Sequence, residues 1–201
     1  MKANTNTWTW LQTIISIFLG GLGVYYLQQY NTTQEKKQYL DMFIIELQQN
    51  QRYVEDMADF LESAYSVEQK VLHKERLSPN DSILLFYTPY FEYEKSAFDM
   101  LKISGAIRLI NSEEARNSVA NIYRNLEIRK RDVNRNMQVK WKLFVASISP
   151  KNQDIDGYAK TFNSIINHRE MAKHFKELND SIDFTLSKIC PLDDYQQLKY
   201  K

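Results

Sequence analysis

The sequence predicts an all-α protein with one N-terminal transmembrane helix followed by a long-helix bundle of about four helices. Three observations support this fold class. A twenty-residue stretch near the N-terminus carries no charge, and the rest of the chain repeats its apolar residues at helical spacing. The 201 residues also include only five glycines and four prolines. Folds built from strands need more turn residues than this, so their scarcity favours long helices.

The uncharged stretch covers residues 8–27, about the ~20 residues that a helix needs to cross a bilayer. Tryptophans lie near its start and tyrosines near its end, as is typical of the two membrane interfaces. We therefore expect residues 1–30 to form a membrane anchor in contact with the lipid bilayer. A buried core helix and a cleaved signal peptide are the alternatives.

Small residues in this stretch predict a contact face. Ser16 and Gly20 are four residues apart, and Gly23 follows, which is the spacing that lets two membrane helices approach closely. A homo-oligomer or another membrane protein is the partner that this pattern implies. The alternative is that glycine is simply common in membrane helices.

Residues 31–190 are predicted to form the helical bundle domain, and residues 191–201 a polar C-terminal tail. The first bundle helix is expected from residue 31 to about residue 76, with a coiled-coil-like heptad seam. Eight acidic and three basic residues lie between positions 35 and 69. The seam consists of Leu40, Phe43, Leu47, Asn50, Val54, Met57, Leu61 and Ala64.

An aromatic cluster follows a loop at residues 78–82. Thr88 and Pro89 predict the start of a helix that ends at Gly105. The cluster has two interpretations, a packed corner of the bundle or a groove for a ligand or partner. The residues of that groove would be Tyr87, Tyr90, Phe91 and Tyr93.

After an extended connector at residues 106–110, Asn111 and Glu114 predict the N-terminus of a helix that reaches about residue 147. Its buried side is expected to hold Val119, Ile122, Leu126, Val133, Met137, Trp141 and Phe144. Seven basic and two acidic residues lie between positions 124 and 142. Antiparallel packing on the acidic first helix is one interpretation, and a basic patch for anionic lipid or an acidic partner is the other. That patch would comprise Arg124, Arg129, Lys130, Arg131 and Arg135. Two final helices are expected over residues 154–167 and 169–189.

The segment from Phe98 to Ile110, together with residues 111–116 and Tyr123, resembles a bacterial family of uncharacterised single-pass membrane proteins, classed as a domain of unknown function. The matching pattern is L-K-x-S-G-x-x-x-L-I, followed by a helix that ends near a tyrosine. Its residues here are Leu101, Lys102, Ser104, Gly105, Leu109, Ile110 and Tyr123. The resemblance implies an N-terminal membrane helix with a helical domain behind it, and it implies no catalytic residues.

The sequence contains no phosphate-binding glycine loop, nucleophile elbow or zinc-protease motif, and its single cysteine excludes an intramolecular disulfide. Formal net charge is +1, which gives no reason to expect a nucleic-acid partner. We expect no enzyme, cofactor or metal. The favoured hypothesis is a membrane-anchored scaffold, accessory subunit or assembly factor of the bacterial envelope that acts through protein–protein contacts. The alternative is a sensor-type ligand-binding domain that signals through a membrane partner. The expected location is the bacterial inner membrane, with the bundle in the periplasm.

Overall fold

The computed structural model describes residues 5–147 and 167–190, and all regular secondary structure in this part is helical. The predicted all-helical bundle is therefore confirmed. The predicted helix at 154–167 lies outside the described residues except for Asn167, as does the tail at 191–201. The elements are α1 (Thr5–Leu72), α2 (Pro79–Phe86), α3 (Ser96–Ile103), a 3-10 turn (Ala106–Leu109), α4 (Glu113–Ser147) and α5 (His168–Ile189).

The three long helices form the bundle, and α5 runs antiparallel to both of the others. Consequently α1 and α4 run parallel to each other. The prediction that they pack antiparallel is wrong, because it did not foresee that α5 would be the main neighbour of both. The contacts that define these directions are Gln51 with Asp183 and Glu68 with His168 between α1 and α5, and Ser118 with Thr185 and Asn136 with Met171 between α4 and α5.

The predicted heptad seam of α1 is confirmed from Phe43 onwards and extends further than expected. Its buried positions alternate spacings of four and three, which keeps one stripe of the helix against its neighbours. Two of these positions are polar, Asn50 and Glu68. The full seam is Phe43, Leu47, Asn50, Val54, Met57, Leu61, Ala64, Glu68 and Val71.

The predicted anchor and the first bundle helix form one continuous helix, α1. At 1.5 Å per residue, the part before residue 39 is about 50 Å long. Within residues 5–147 and 167–190, no helix combines the length and the apolarity that crossing a membrane requires. The predicted span at 8–27 is not supported by this finding. The apolar stretch is interrupted by Thr13 and Ser16 and passes directly into Gln28 and Gln29.

The segment between α1 and α4 corrects two predictions. Thr88 and Pro89 do not begin a helix, since residues 87–95 have no regular structure and α3 begins at Ser96. The predicted loop at residues 78–82 is also wrong, because Pro79–Phe86 form helix α2. Ser78 caps α2, with Pro79 in the first turn and Asp81 completing a capping box.

Past α3 the chain turns at Gly105, whose φ of 69° lies in the left-handed region that glycine commonly adopts just after a helix. The predicted extended connector is wrong, because residues 106–109 form a 3-10 turn. The cap of α4 lies one residue later than expected, since Ser112 Oγ accepts a hydrogen bond from the Ala115 backbone N–H at 3.2 Å.

On α4, the burial of two neighbouring side chains is the opposite of that expected. Trp141, expected to be buried, is 63 % exposed, while Lys140 is 2 % exposed. The buried stripe of α4 advances from Val133 by seven residues, which places position 140 inside and position 141 outside.

Candidate functional site

The N-terminal part of α1 exposes apolar side chains on all of its sides. Every residue from Thr13 to Thr33 is exposed, and no charged residue occurs between Trp10 and Glu35. An apolar stripe packs against one neighbour, whereas apolar residues all round favour an apolar environment on every side. The large apolar residues exposed here are Trp10, Ile14, Ile15, Ile17, Phe18, Leu19, Leu22, Val24, Tyr25, Tyr26, Leu27 and Tyr30.

The predicted contact face at Ser16, Gly20 and Gly23 lies within this apolar segment. A Cβ atom placed on Gly20 or Gly23 would meet no described atom within 4 Å. The described part of the chain therefore leaves this face open. Contact with a second membrane helix stays a prediction.

The aromatic cluster is divided between packing and exposure. Phe91 is buried edge-on against Phe175, with ring centroids 5.0 Å apart, and the Tyr93 hydroxyl donates to Glu127. These two contacts attach the segment to the bundle, as the packed-corner interpretation expects. Tyr87 and Tyr90 are each 57 % exposed. Tyr87 packs edge-on against the ring of Phe60.

Tyr90 and Phe91 also line an open cavity of about 370 Å³ beside α1. Tyr53 and Met57 of α1 also line it, as does the carboxylate-bearing Glu92. Tyr87 and Tyr93 do not line this cavity. Two of the four predicted groove residues therefore line this cavity, and the groove itself stays a prediction.

The predicted basic patch is partly neutralised within the bundle. Lys130 forms a salt bridge with Glu92, which raises the pKa of its amine. Arg129 lies 3.5 Å from Asp132 and 3.2 Å from His174 Nδ1. The remaining members Arg124, Arg131 and Arg135 are exposed.

Glu46 holds the start of α3 from the interior of the bundle. Its carboxylate accepts hydrogen bonds from the backbone N–H groups of Ala97 at 2.6 Å and Phe98 at 3.1 Å. These are the first, otherwise unpaired donors of α3, and a carboxylate at a helix N-terminus is also favoured by the helix dipole. Lys95 precedes the helix without providing a side-chain cap, so Glu46 replaces a local cap.

Tyr123 connects this carboxylate to α4. Its hydroxyl donates to Glu46 Oε1 at 2.6 Å, and its ring stacks on Phe98 with centroids 4.0 Å apart. Burial, followed by the hydrogen bond to Glu46, raises the pKa of Tyr123, so the hydroxyl stays a proton donor.

Asn50, one turn after Glu46, binds the segment without regular structure that precedes α3. Its amide nitrogen donates to the Glu94 carbonyl at 2.7 Å, and its amide oxygen accepts from the Glu94 N–H at 2.8 Å. One side chain thereby satisfies both backbone groups of a residue that belongs to no helix or strand.

A second polar cluster joins the three long helices near the C-terminal end of α1. Glu68, Lys140 and His168 are each 2 % exposed, and Glu68 pairs with His168 Nδ1. Burial lowers the pKa of Lys140 to about 8, partly opposed by the charge of Glu68. Burial also lowers the pKa of His168, against the hydrogen bond to Glu68. Burying charged groups costs solvation free energy, so a cluster of this kind is not in itself a source of stability.

Sequence reasoning missed these two clusters, although signals for part of them exist. Asn50 was placed in the seam, and extending the same heptad gives Glu68. Glu46 leaves no such signal, because its partners are 50 or more residues away. Within the described ranges, no group of three or more His, Cys, Asp or Glu side chains is placed to hold a metal ion.

Comparison with known proteins adds no relative. No protein-family model, curated protein or solved structure matches this chain. The resemblance of residues 98–123 to a bacterial membrane-protein family therefore stays a prediction.

Proposed function

We propose that this chain is a membrane-anchored helical-bundle protein that acts through protein–protein contacts, as a scaffold, accessory subunit or assembly factor. The proposal does not rest on a membrane-spanning helix, because no described helix combines the length and apolarity of one. A different observation carries it. Residues 13–30 expose apolar side chains on every side of a helix that extends beyond the bundle. A lipid bilayer surrounds a helix completely, whereas one partner helix covers a single face.

Two lined depressions of the described bundle, one beside Tyr90 and one between α4 and α5, offer surfaces for partners. The buried ionisable residues of the bundle hold helices together, as Glu46 does for α3. We propose the bacterial inner membrane as the location, with the bundle in the periplasm, which is what the resemblance of residues 98–123 to a bacterial membrane-protein family implies.

Membrane extraction tests the anchor. Full-length protein should remain in the membrane pellet after washing at high pH, and Ile17→Arg with Leu22→Arg should release it, because charges are costly in the hydrocarbon core. Ile103→Arg is the matched control, since Ile103 is 83 % exposed but lies on α3 in the bundle. Equal retention of all three proteins, or release of the unsubstituted chain, would refute the anchor.

Cysteine labelling tests the side of the membrane. Cys190 is buried, so the native thiol is a poor reporter. In a Cys190→Ala background, Ser63→Cys provides an exposed thiol on α1. Labelling in intact cells by a maleimide that cannot cross the inner membrane supports a periplasmic bundle, and labelling only after lysis contradicts it.

The cavity beside Tyr90 and Phe91 supports the alternative function, a sensor-type domain that binds a small ligand and signals through a membrane partner. A ligand bound there would raise the melting temperature in proportion to the logarithm of its concentration. Screening a metabolite library against the unsubstituted chain and Tyr90→Ala tests this alternative. A stabilising compound whose effect disappears in the variant would favour the sensor over the scaffold.

A further inference from the structure

A polar groove lies between α4 and α5, lined by residues of both helices. Its volume is about 640 Å³. Small residues keep it open, since Ser118 on α4 and Ser181 on α5 both line it. Ser118 also hydrogen-bonds Thr185 across the helix pair at 2.7 Å, which fixes the two walls relative to each other.

Three asparagines line the α4 wall of this groove at regular spacing. Asn117, Asn121 and Asn125 are each four residues apart, and all three are exposed. Four residues of helix rise about 6 Å, so the three amides form a ladder about 12 Å long. Two residues of an extended chain advance by about 6.7 Å, which nearly matches one step of the ladder.

This match has a chemical meaning because an extended chain turns the N–H and C=O groups of alternate residues to the same side. The NH2 group of an asparagine side chain can donate to the backbone C=O of such a residue, while its carbonyl oxygen accepts from the backbone N–H of the same residue. The protein already contains this pairing, in the two hydrogen bonds between Asn50 and the backbone of Glu94.

We propose that the groove between α4 and α5 binds an extended polypeptide segment of a partner protein. The amides of Asn117, Asn121 and Asn125 hydrogen-bond the backbone of three alternate residues of this segment, one amide to each residue. This inference rests on the proposed action through protein contacts and names the kind of partner. Side chains of the bound segment alternate between the groove and solvent.

Two residues of opposite charge along the groove add a preference. Glu114 and Arg124 both line it, ten residues or about 15 Å apart along α4. Electrostatic complementarity favours a basic and an acidic residue four or five positions apart in the bound segment.

A phage-displayed library of random ten-residue peptides is a suitable probe, selected on the full-length chain in detergent micelles. Counter-selection uses the triple variant Asn117→Ala, Asn121→Ala, Asn125→Ala. Peptides recovered in this way should bind about tenfold more weakly to the single variant Asn121→Ala, which loses two backbone hydrogen bonds. Gln138→Ala, an exposed amide on the same helix but outside the groove, should leave binding unchanged.

Backbone methylation then tests the register directly. Two versions of a selected peptide carry N-methyl groups on odd or on even positions. The pairing of alternate residues predicts that one version binds like the parent and the other loses binding.

Three results would overturn the inference. The first is that no peptide prefers the unsubstituted chain over the triple variant, and the second is that the two methylation patterns have equal effects. The third is that peptides bind only after residues 191–201 are removed. The last result would identify this chain's own tail as the occupant. None of these substitutions touches residues 13–30, so membrane retention distinguishes failure of the groove from failure of the anchor.

Discussion

Replacing Lys140 with methionine should stabilise this protein at neutral pH. Lys140 is 2 % exposed, and burial lowers the pKa of its amine from 10.5 to about 8. At about 1.36 kcal/mol per pKa unit, that difference corresponds to about 3 kcal/mol of unfavourable free energy in the folded, protonated protein. Methionine retains most of the volume of the side chain and removes the charge.

The pH dependence of the gain follows from the same values. Below about pH 8 the amine is protonated in both the folded and the unfolded chain, so the full cost is present. Between pH 8 and 10.5 the folded chain releases the proton while the unfolded chain keeps it, and stability of the unsubstituted protein therefore rises. The advantage of Lys140→Met should be greatest below pH 8 and fall towards pH 10.

Thermal unfolding measured at pH 7, 8, 9 and 10 tests this reasoning. A gain of about 3 kcal/mol should raise the melting temperature by roughly 6–12 °C for a chain of this size. Lys142→Met is the matched control, because Lys142 is exposed two residues further along the same helix. A variant that is no more stable than the unsubstituted chain at pH 7, or whose gain is constant from pH 7 to 10, would refute the argument.

Two further predictions concern the cap of α3 and the apolar segment. Glu46→Gln should destabilise the bundle by about 1–3 kcal/mol, since it removes a carboxylate that accepts from two helix N–H groups, and urea unfolding against the exposed control Glu55→Gln measures this loss. Gly20→Leu should leave the stability of the monomer unchanged, because its Cβ meets no described atom within 4 Å, yet reduce cross-linking between chains if the small-residue face is a contact. Unchanged cross-linking would exclude Gly20 from such a contact.

The long helices could be predicted from the sequence because apolar periodicity reports directly on packing. The seam from Phe43 to Ala64 and the bounds of α5 near residues 169–189 illustrate this. Local start signals were less decisive. Ser78 and Thr88 both precede a proline, but only Ser78 has an acidic residue three positions later that can return a hydrogen bond. That difference is readable in the sequence.

The relative directions of the helices and the buried polar contacts could not be predicted in the same way. Periodicity shows that α1 and α4 each bury one stripe, but not that both stripes face α5. The role of Glu46 depends on Ala97, Phe98 and Tyr123, which are close only after folding. Lys140 interrupts an otherwise apolar stripe, and sequence patterns favour the neighbouring tryptophan for that position.

Helix α1 runs without a break from its apolar segment into the bundle, so the two parts are rigidly connected. In a continuous helix, rotation of one end about the helix axis also rotates the other end. The side of the apolar segment that contacts a neighbour therefore determines which side of the bundle faces that neighbour. One inserted residue in the polar stretch between Asn31 and Gln38 would turn the two ends by about 100° relative to each other, whereas seven would nearly restore the original angle. The orientation of the bundle towards a partner therefore depends on the number of residues between the apolar segment and the bundle, as well as on the surfaces of both.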